Sequence, residues 1–162
     1  MHKQAKSVNC DVKDETAQYA LLALQGPKAE VILSMITEAN LNSLKRFHVI
    51  RNNVGGVEVM ISRTGYTGEN GFELYCPTNA ALPVARALHE AGNAHGLKLC
   101  GLGARDSLRL EAGLALYGHE ISEEISPLEA GLGWTVKFSK PDDFIGRSAL
   151  EKEKAGGSSR QL

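Results

Sequence analysis

The sequence predicts an α+β fold, a mixed and mainly antiparallel sheet with helices laid on it in the ferredoxin-like manner. Three observations predict it. Apolar Phe72, Leu74 and Cys76 alternate with Glu73 and Tyr75 at the two-residue period of a strand. Two more strand-like runs, residues 47–54 and 57–62, flank Gly55-Gly56, a pair that supplies the positive φ angles of a two-residue hairpin turn. Segments of helical period stand on either side of this block, so the order reads strand, helix, hairpin, strand, helix.

Taken along the chain, Tyr19-Ala20-Leu21-Leu22-Ala23-Leu24 is continuously apolar, the pattern of a strand covered on both faces and expected at the centre of the sheet. Pro27 suits the first turn of a helix, and Val31, Ile32, Met35 and Ile36 fall on one helical face, so a helix is expected over 27–36. After the hairpin and the alternating strand, Thr78 or Asn79 caps a helix carrying Leu82, Val84, Leu88 and Ala91, with Pro83 in its first turn and Gly92 or Gly96 ending it. Residues 104–112 are helix formers closed by Gly113. Glu151 to Leu162 joins charge to Gly156-Gly157-Ser158-Ser159 with little apolar content, a composition that predicts disorder.

Composition bounds the rest. With 162 residues and 43% hydrophobic content, one packed core over residues 1–150 is expected. Eighteen basic against nineteen acidic residues give a net charge of −1 and form no basic block, so nucleic acid has no electrostatic footprint. Cys10, Cys76 and Cys100 are odd in number and contain no Cys-x-x-Cys pair, which speaks for a reducing compartment and against a disulfide framework or structural zinc. No apolar run has the length needed to span a bilayer, and Met1-His2-Lys3-Gln4 lacks the apolar core of a secretory signal. His48, His89, His95 and His119 are scattered, without metal-helix or triad spacing. Gly101-Leu102-Gly103 is not a dinucleotide loop, because Asp106 stands where the third glycine belongs and repels a pyrophosphate.

Two stretches concentrate permissive glycines with polar groups that are costly to bury: residues 62–73 (SRTGYTGENGFE) and residues 101–113 (GLGARDSLRLEAG). With Leu24-Gln25-Gly26-Pro27 before them, and residues 126–134 (SPLEAGLGW) and Phe144-Ile145-Gly146-Arg147 after them, they resemble the blocks of the glycine cleavage T-protein family of tetrahydrofolate-dependent aminomethyltransferases, in the family's order. The resemblance implies the T-protein folate-binding fold and an activity. An aminomethyl group on the lipoyl arm of a carrier protein (H-protein) gives its methylene to tetrahydrofolate, and ammonia is released. Tetrahydrofolate is then the substrate and no metal is implied. The implied location is the cytoplasm in a bacterium and the mitochondrial matrix in a eukaryote.

A pterin presents adjacent N–H donors on its aminopyrimidine edge, and a carboxylate accepts both. Glu73, on a strand behind a glycine-rich turn, is the candidate for that partner, and it matches the family's ligand-binding glutamate. The structural alternative is a solvated carboxylate paired with a lysine. Arg105 offers a planar fork of donors to a carbonyl, carboxylate or other anion and matches a second substrate-binding position; its alternative is a salt bridge to Asp106 or Glu111. Arg109 lies four residues on, where like charges repel, so Glu111, Asp106 or another acidic group is expected to separate the two. Tyr66 serves a folate or simply packs over its own turn.

Asp11 and Asp14 match no catalytic motif, so no catalytic residue is assigned. Family members carry their catalytic aspartate in a substantial N-terminal segment and end in a C-terminal β-barrel. Against that pattern the chain reads as an internal fragment, with 151–162 leading toward the barrel. Alone it is expected to be inactive, and to self-associate through apolar surface near 114–117 and 132–134. Three classes of function stay open: enzyme part, folate-binding or regulatory module (or a demethylase relative), and structural fragment.

Overall fold

In the computed structural model, which describes residues 9–158 and Arg160, the sheet is built around one tight hairpin. Gly55 and Gly56 take φ angles of +57° and +83°, as a type I′ turn requires, and join β2 (Val49–Val54) to β3 (Val57–Ser62) in antiparallel register, Val54 against Val57. β3 pairs with β4 (Gly71–Pro77), and β4 pairs along its whole length with β1 (Tyr19–Gln25). The order is β1-β4-β3-β2, and every pairing is antiparallel. The α+β class with helices on an antiparallel sheet therefore holds. Two strands separate β1 from β2, one more than in a split βαβ unit.

The expectation of a central first strand is corrected. β1 lies at the end of the sheet, and only one of its faces meets the core: Leu24 is buried, whereas Leu21 is 49% exposed. An unbroken apolar run carries no period, so it does not tell a strand buried on both faces from one with an apolar face left open. In β4 the alternation behaves as read, with Phe72, Leu74 and Cys76 fully buried and Glu73 and Tyr75 directed to the opposite face.

Four helices among the described residues follow from local chemistry. Helix α1 (Ala29–Ser34) is shorter than the 27–36 expected and packs Ala29, Ile32 and Leu33 into the core. Helix α2 (Ala81–Asn93) follows a 3₁₀ turn at Thr78–Ala80 and buries Val84 and Leu88, while Leu82 stays exposed. Thr78 does not cap it; its hydroxyl donates to Ala17 O at 3.1 Å. Gly96, with φ +78°, ends α2, and Leu97 N reaches back to Gly92 O at 3.0 Å, the six-to-one bond of a Schellman motif. Helix α3 (Leu102–Glu111) stops the same way at Gly113, with Leu114 N on Arg109 O at 2.8 Å.

Helix α4 (Arg147–Gly156) overturns part of the disorder expected for 151–162, because residues 151–156 are helical. Composition missed the anchoring of its first residue. Arg147 donates to the carbonyls of Lys140, Asp142 and Phe138 and pairs with Glu151 one turn on at 2.9 Å. Ser159, Gln161 and Leu162 lie outside the described residues.

The chain divides into two compact units, up to Leu108 and from Arg109 onward, where a single core over 1–150 was expected. Among the described residues, only Ala130 of the buried apolar residues belongs to the second unit, which is organised by polar groups. Ser126 N donates to Glu129 Oε2 at 3.0 Å and Glu129 N to Ser126 Oγ at 3.1 Å, a reciprocal capping box. Apolar content alone did not reveal that glycine-rich residues 113–133 fold back on such bonds.

Candidate functional site

The loop between β3 and β4 is the hub of the site, and its glycines are there for close approach. Gln25, the last residue of β1, sends its carboxamide across the loop: Nε2 donates to Thr64 O at 3.1 Å and to Phe72 O at 3.3 Å, and Oε1 accepts from Thr67 Oγ1 at 3.1 Å. A Cβ at Gly65 would stand 2.0 Å from that Oε1, and one at Gly71 2.6 Å from the same carboxamide. Neither position tolerates a side chain while Gln25 keeps its bonds.

Arg63 holds the loop from the other side. It donates to Glu30 Oε2 at 2.6 Å, to the carbonyls of Leu41 and Leu44 at 2.9 and 3.1 Å and to Asn70 Oδ1 at 3.2 Å, and its guanidinium lies over the Phe72 ring. Such a fully engaged fork is a rigid structural cation.

Glu73 is half-buried on the sheet face opposite the core, in register with Ala23 on β1 and Ser62 on β3. Its Oε2 accepts a short hydrogen bond from Thr64 Oγ1, and Ser62 Oγ lies 2.9 Å from that same hydroxyl. The lysine pairing weighed for Glu73 does not occur among the described residues, and Oε1 has no hydrogen-bond partner there. Tyr75 follows on the same face; burial, and then the Glu73 charge, push its phenol above the ordinary tyrosine range.

Arg105 is exposed on α3, and its guanidinium stacks 4.5 Å from the centre of the Tyr66 ring. Stacking fixes the plane of the fork while its edge N–H groups stay available to an in-plane acceptor. Neither Asp106 nor Glu111 forms an ion pair with it among the described residues. No contact joins Glu73 to Arg105 directly. The loop joins them, Thr64 touching one and Tyr66 the other.

Arg105 also lines an apolar cleft of about 670 Å³ in the first unit, between the open edge of β1 and the segment from Leu97 to Leu108, with Leu21, Leu88 and Leu99 in its walls; Glu73 is not among its lining residues. Arg109 is only 2% exposed and pairs with Glu120, 2.6 Å away, an acidic group of the kind expected beside it. Glu120 Oε2 also accepts from Leu116 N at 3.0 Å, and that bond, with Arg109, holds its carboxyl below the usual glutamate range. Asp14, unassigned in the sequence, accepts from Thr16 N at 3.0 Å at the start of a 3₁₀ turn.

Sequence reasoning gave no role to Gln25, Arg63, Thr64 or Glu120. Gln25 and Arg63 stood inside quoted blocks, and the spacing of Gly65 and Gly71 was the available sign that some side chain crosses the loop.

Residues 1–140 match the GCVT N-terminal domain family. The chain belongs to that family. It is 46% identical over 99% of its length to an aminomethyltransferase of Bacillus subtilis, and 55% identical over 94% to one of Halothermothrix orenii, covering 44% and 42% of those proteins. The crystal structure of the glycine cleavage system aminomethyltransferase T from Bartonella henselae superposes with a TM-score of 0.77 at 36% identity, over 88% of this chain and 38% of that one. The chain thus spans less than half the length of the relatives it matches.

Proposed function

We propose that this chain supplies the folate-binding part of an aminomethyltransferase of the glycine cleavage system. Its Glu73 accepts the N–H pair of the aminopyrimidine ring of tetrahydrofolate, and Arg105 engages a carbonyl or anionic group of the same ligand. The observation that carries this is the state of Glu73: a half-buried carboxylate with one oxygen held by Thr64 and, among the described residues, the other without a partner and no cation paired to it. A carboxylate so placed, one oxygen oriented by Thr64 and the other open to solvent, is set to accept the donors of a ligand.

In the reaction, two folate nitrogens each form a bond to the methylene carbon of the carrier-bound aminomethyl group as its carbon–nitrogen and carbon–sulfur bonds break, and the two protons those nitrogens give up leave on ammonia and on the lipoyl thiol. Residues of this chain bind and orient the acceptor. The carrier is the lipoylated H-protein, and the bacterial relatives support a cytoplasmic setting. Among the described residues no helix is long and apolar enough to cross a membrane.

Calorimetric titration of the chain with tetrahydrofolate tests the reading. Saturable binding that Glu73→Gln and Arg105→Met each weaken supports it; binding indifferent to both, or none, overturns it.

A further inference from the structure

Glu73 sits on a strand, but the group that sets its rotamer comes from the neighbouring loop. Thr64 has one hydroxyl proton, and a carboxylate accepts only, so that proton goes to Glu73 Oε2 while the Ser62 hydroxyl, 2.9 Å away, donates to Thr64 Oγ1. The Thr64 backbone is in turn fixed by Gln25, whose Nε2 grips the Thr64 carbonyl and the Phe72 carbonyl next to Glu73. One carboxamide thus ties the residue before Glu73 to the residue that donates to it. The arrangement leaves Oε1 fully open and Oε2 with an acceptor site to spare, so the oriented carboxylate can still take two donors.

We propose that Thr64 is a positioning residue for ligand recognition by Glu73, with Gln25 as its anchor. The proposal rests on the folate reading for the identity of the ligand, while the geometry it invokes is independent of it. Removing the Thr64 hydroxyl frees the carboxylate to rotate or to hydrate both oxygens, so the ordering cost returns at binding.

The test compares Thr64→Val, which keeps the shape, with Thr64→Ser, which restores the hydroxyl, alone and combined with Glu73→Gln. Thr64→Val is expected to weaken tetrahydrofolate binding about tenfold, as for one hydrogen bond to a charged group, Thr64→Ser to recover most of it, and Thr64→Val to add little in the Glu73→Gln background. A purely structural role predicts additive losses and overturns the proposal. Carbon-13 NMR of the Glu73 carboxyl in the ligand-free chain separates the two ideas. A resonance moved by Thr64→Val and returned by Thr64→Ser supports positioning even if tetrahydrofolate does not bind, and only the ligand identity then falls. An unmoved resonance overturns the positioning role whatever the ligand.

Discussion

Arg109 Nη1 lies 2.6 Å from Glu120 Oε2, and the same carboxylate oxygen takes the backbone N–H of Leu116. One acidic side chain therefore neutralises a buried arginine and closes a loop of the second unit. Its pKa is lowered in the folded chain, so by linkage its contribution is fully present above the unfolded glutamate value of about 4.3 and is lost as pH falls through the lower folded value. Stability measured by urea from neutral pH into the acid range is expected to fall less steeply in Glu120→Gln than in the parent. Parallel acid limbs would show the pair to be inert.

Loss of charge at Glu73 is the sharpest test of ligand recognition. Glu73→Gln keeps the shape but replaces one acceptor by a donor, and should weaken tetrahydrofolate binding by about 1.5–3 kcal/mol. Calorimetry reads this directly, and unchanged affinity rejects the assignment.

The loop glycines give a steric prediction. Gly65→Ala drives a methyl into the Gln25 carboxamide, which swings away only by giving up its bonds to Thr64, Phe72 and Thr67. A loss of about 1–3 kcal/mol is expected in denaturant unfolding, with little further loss when Gln25→Ala is added. Full additivity would mean that the glycine serves something other than Gln25.

The hairpin separates conformation from space. Both turn glycines have positive φ, which asparagine tolerates, but a Cβ at Gly55 meets Ala87 Cβ at 2.8 Å, whereas at Gly56 it meets nothing within 4 Å. Gly56→Asn should change stability by less than about 0.5 kcal/mol and Gly55→Asn lower it by about 1–3 kcal/mol, read from urea midpoints.

Self-association is the last expectation. Trp134, the single tryptophan, is 72% exposed, and Tyr117 is 65% exposed. If the chain dimerises over either residue, sedimentation shows a concentration-dependent mass and Trp134 emission shifts to the blue with it. A monomer at all concentrations, with emission unchanged, removes this prediction.

How much of this was legible in the sequence depends on the kind of signal. The Gly55-Gly56 hairpin and the alternation through Phe72, Glu73, Leu74, Tyr75 and Cys76 are local and period-two, and both stand as read. The edge position of β1 is a non-local fact that an apolar run does not encode. Glu73 and Arg105 were singled out as polar groups beside glycines, but the loop through which both are held depends on Gln25, thirty-nine residues before Thr64 in sequence. Helix α4 was missed because composition weighs charge as solvation, while Arg147 spends its charge on three carbonyls.

The carboxamide of Gln25 uses its two ends oppositely, the nitrogen facing two carbonyl oxygens and the oxygen facing a hydroxyl. Only an uncharged group with a donor and an acceptor on one carbon satisfies all three contacts. Replacing that amide by a carboxylate, as in Gln25→Glu, would put a charge against two carbonyls, repelling what the amide had gripped, and would loosen Thr64 and Glu73 together with no change at any other residue.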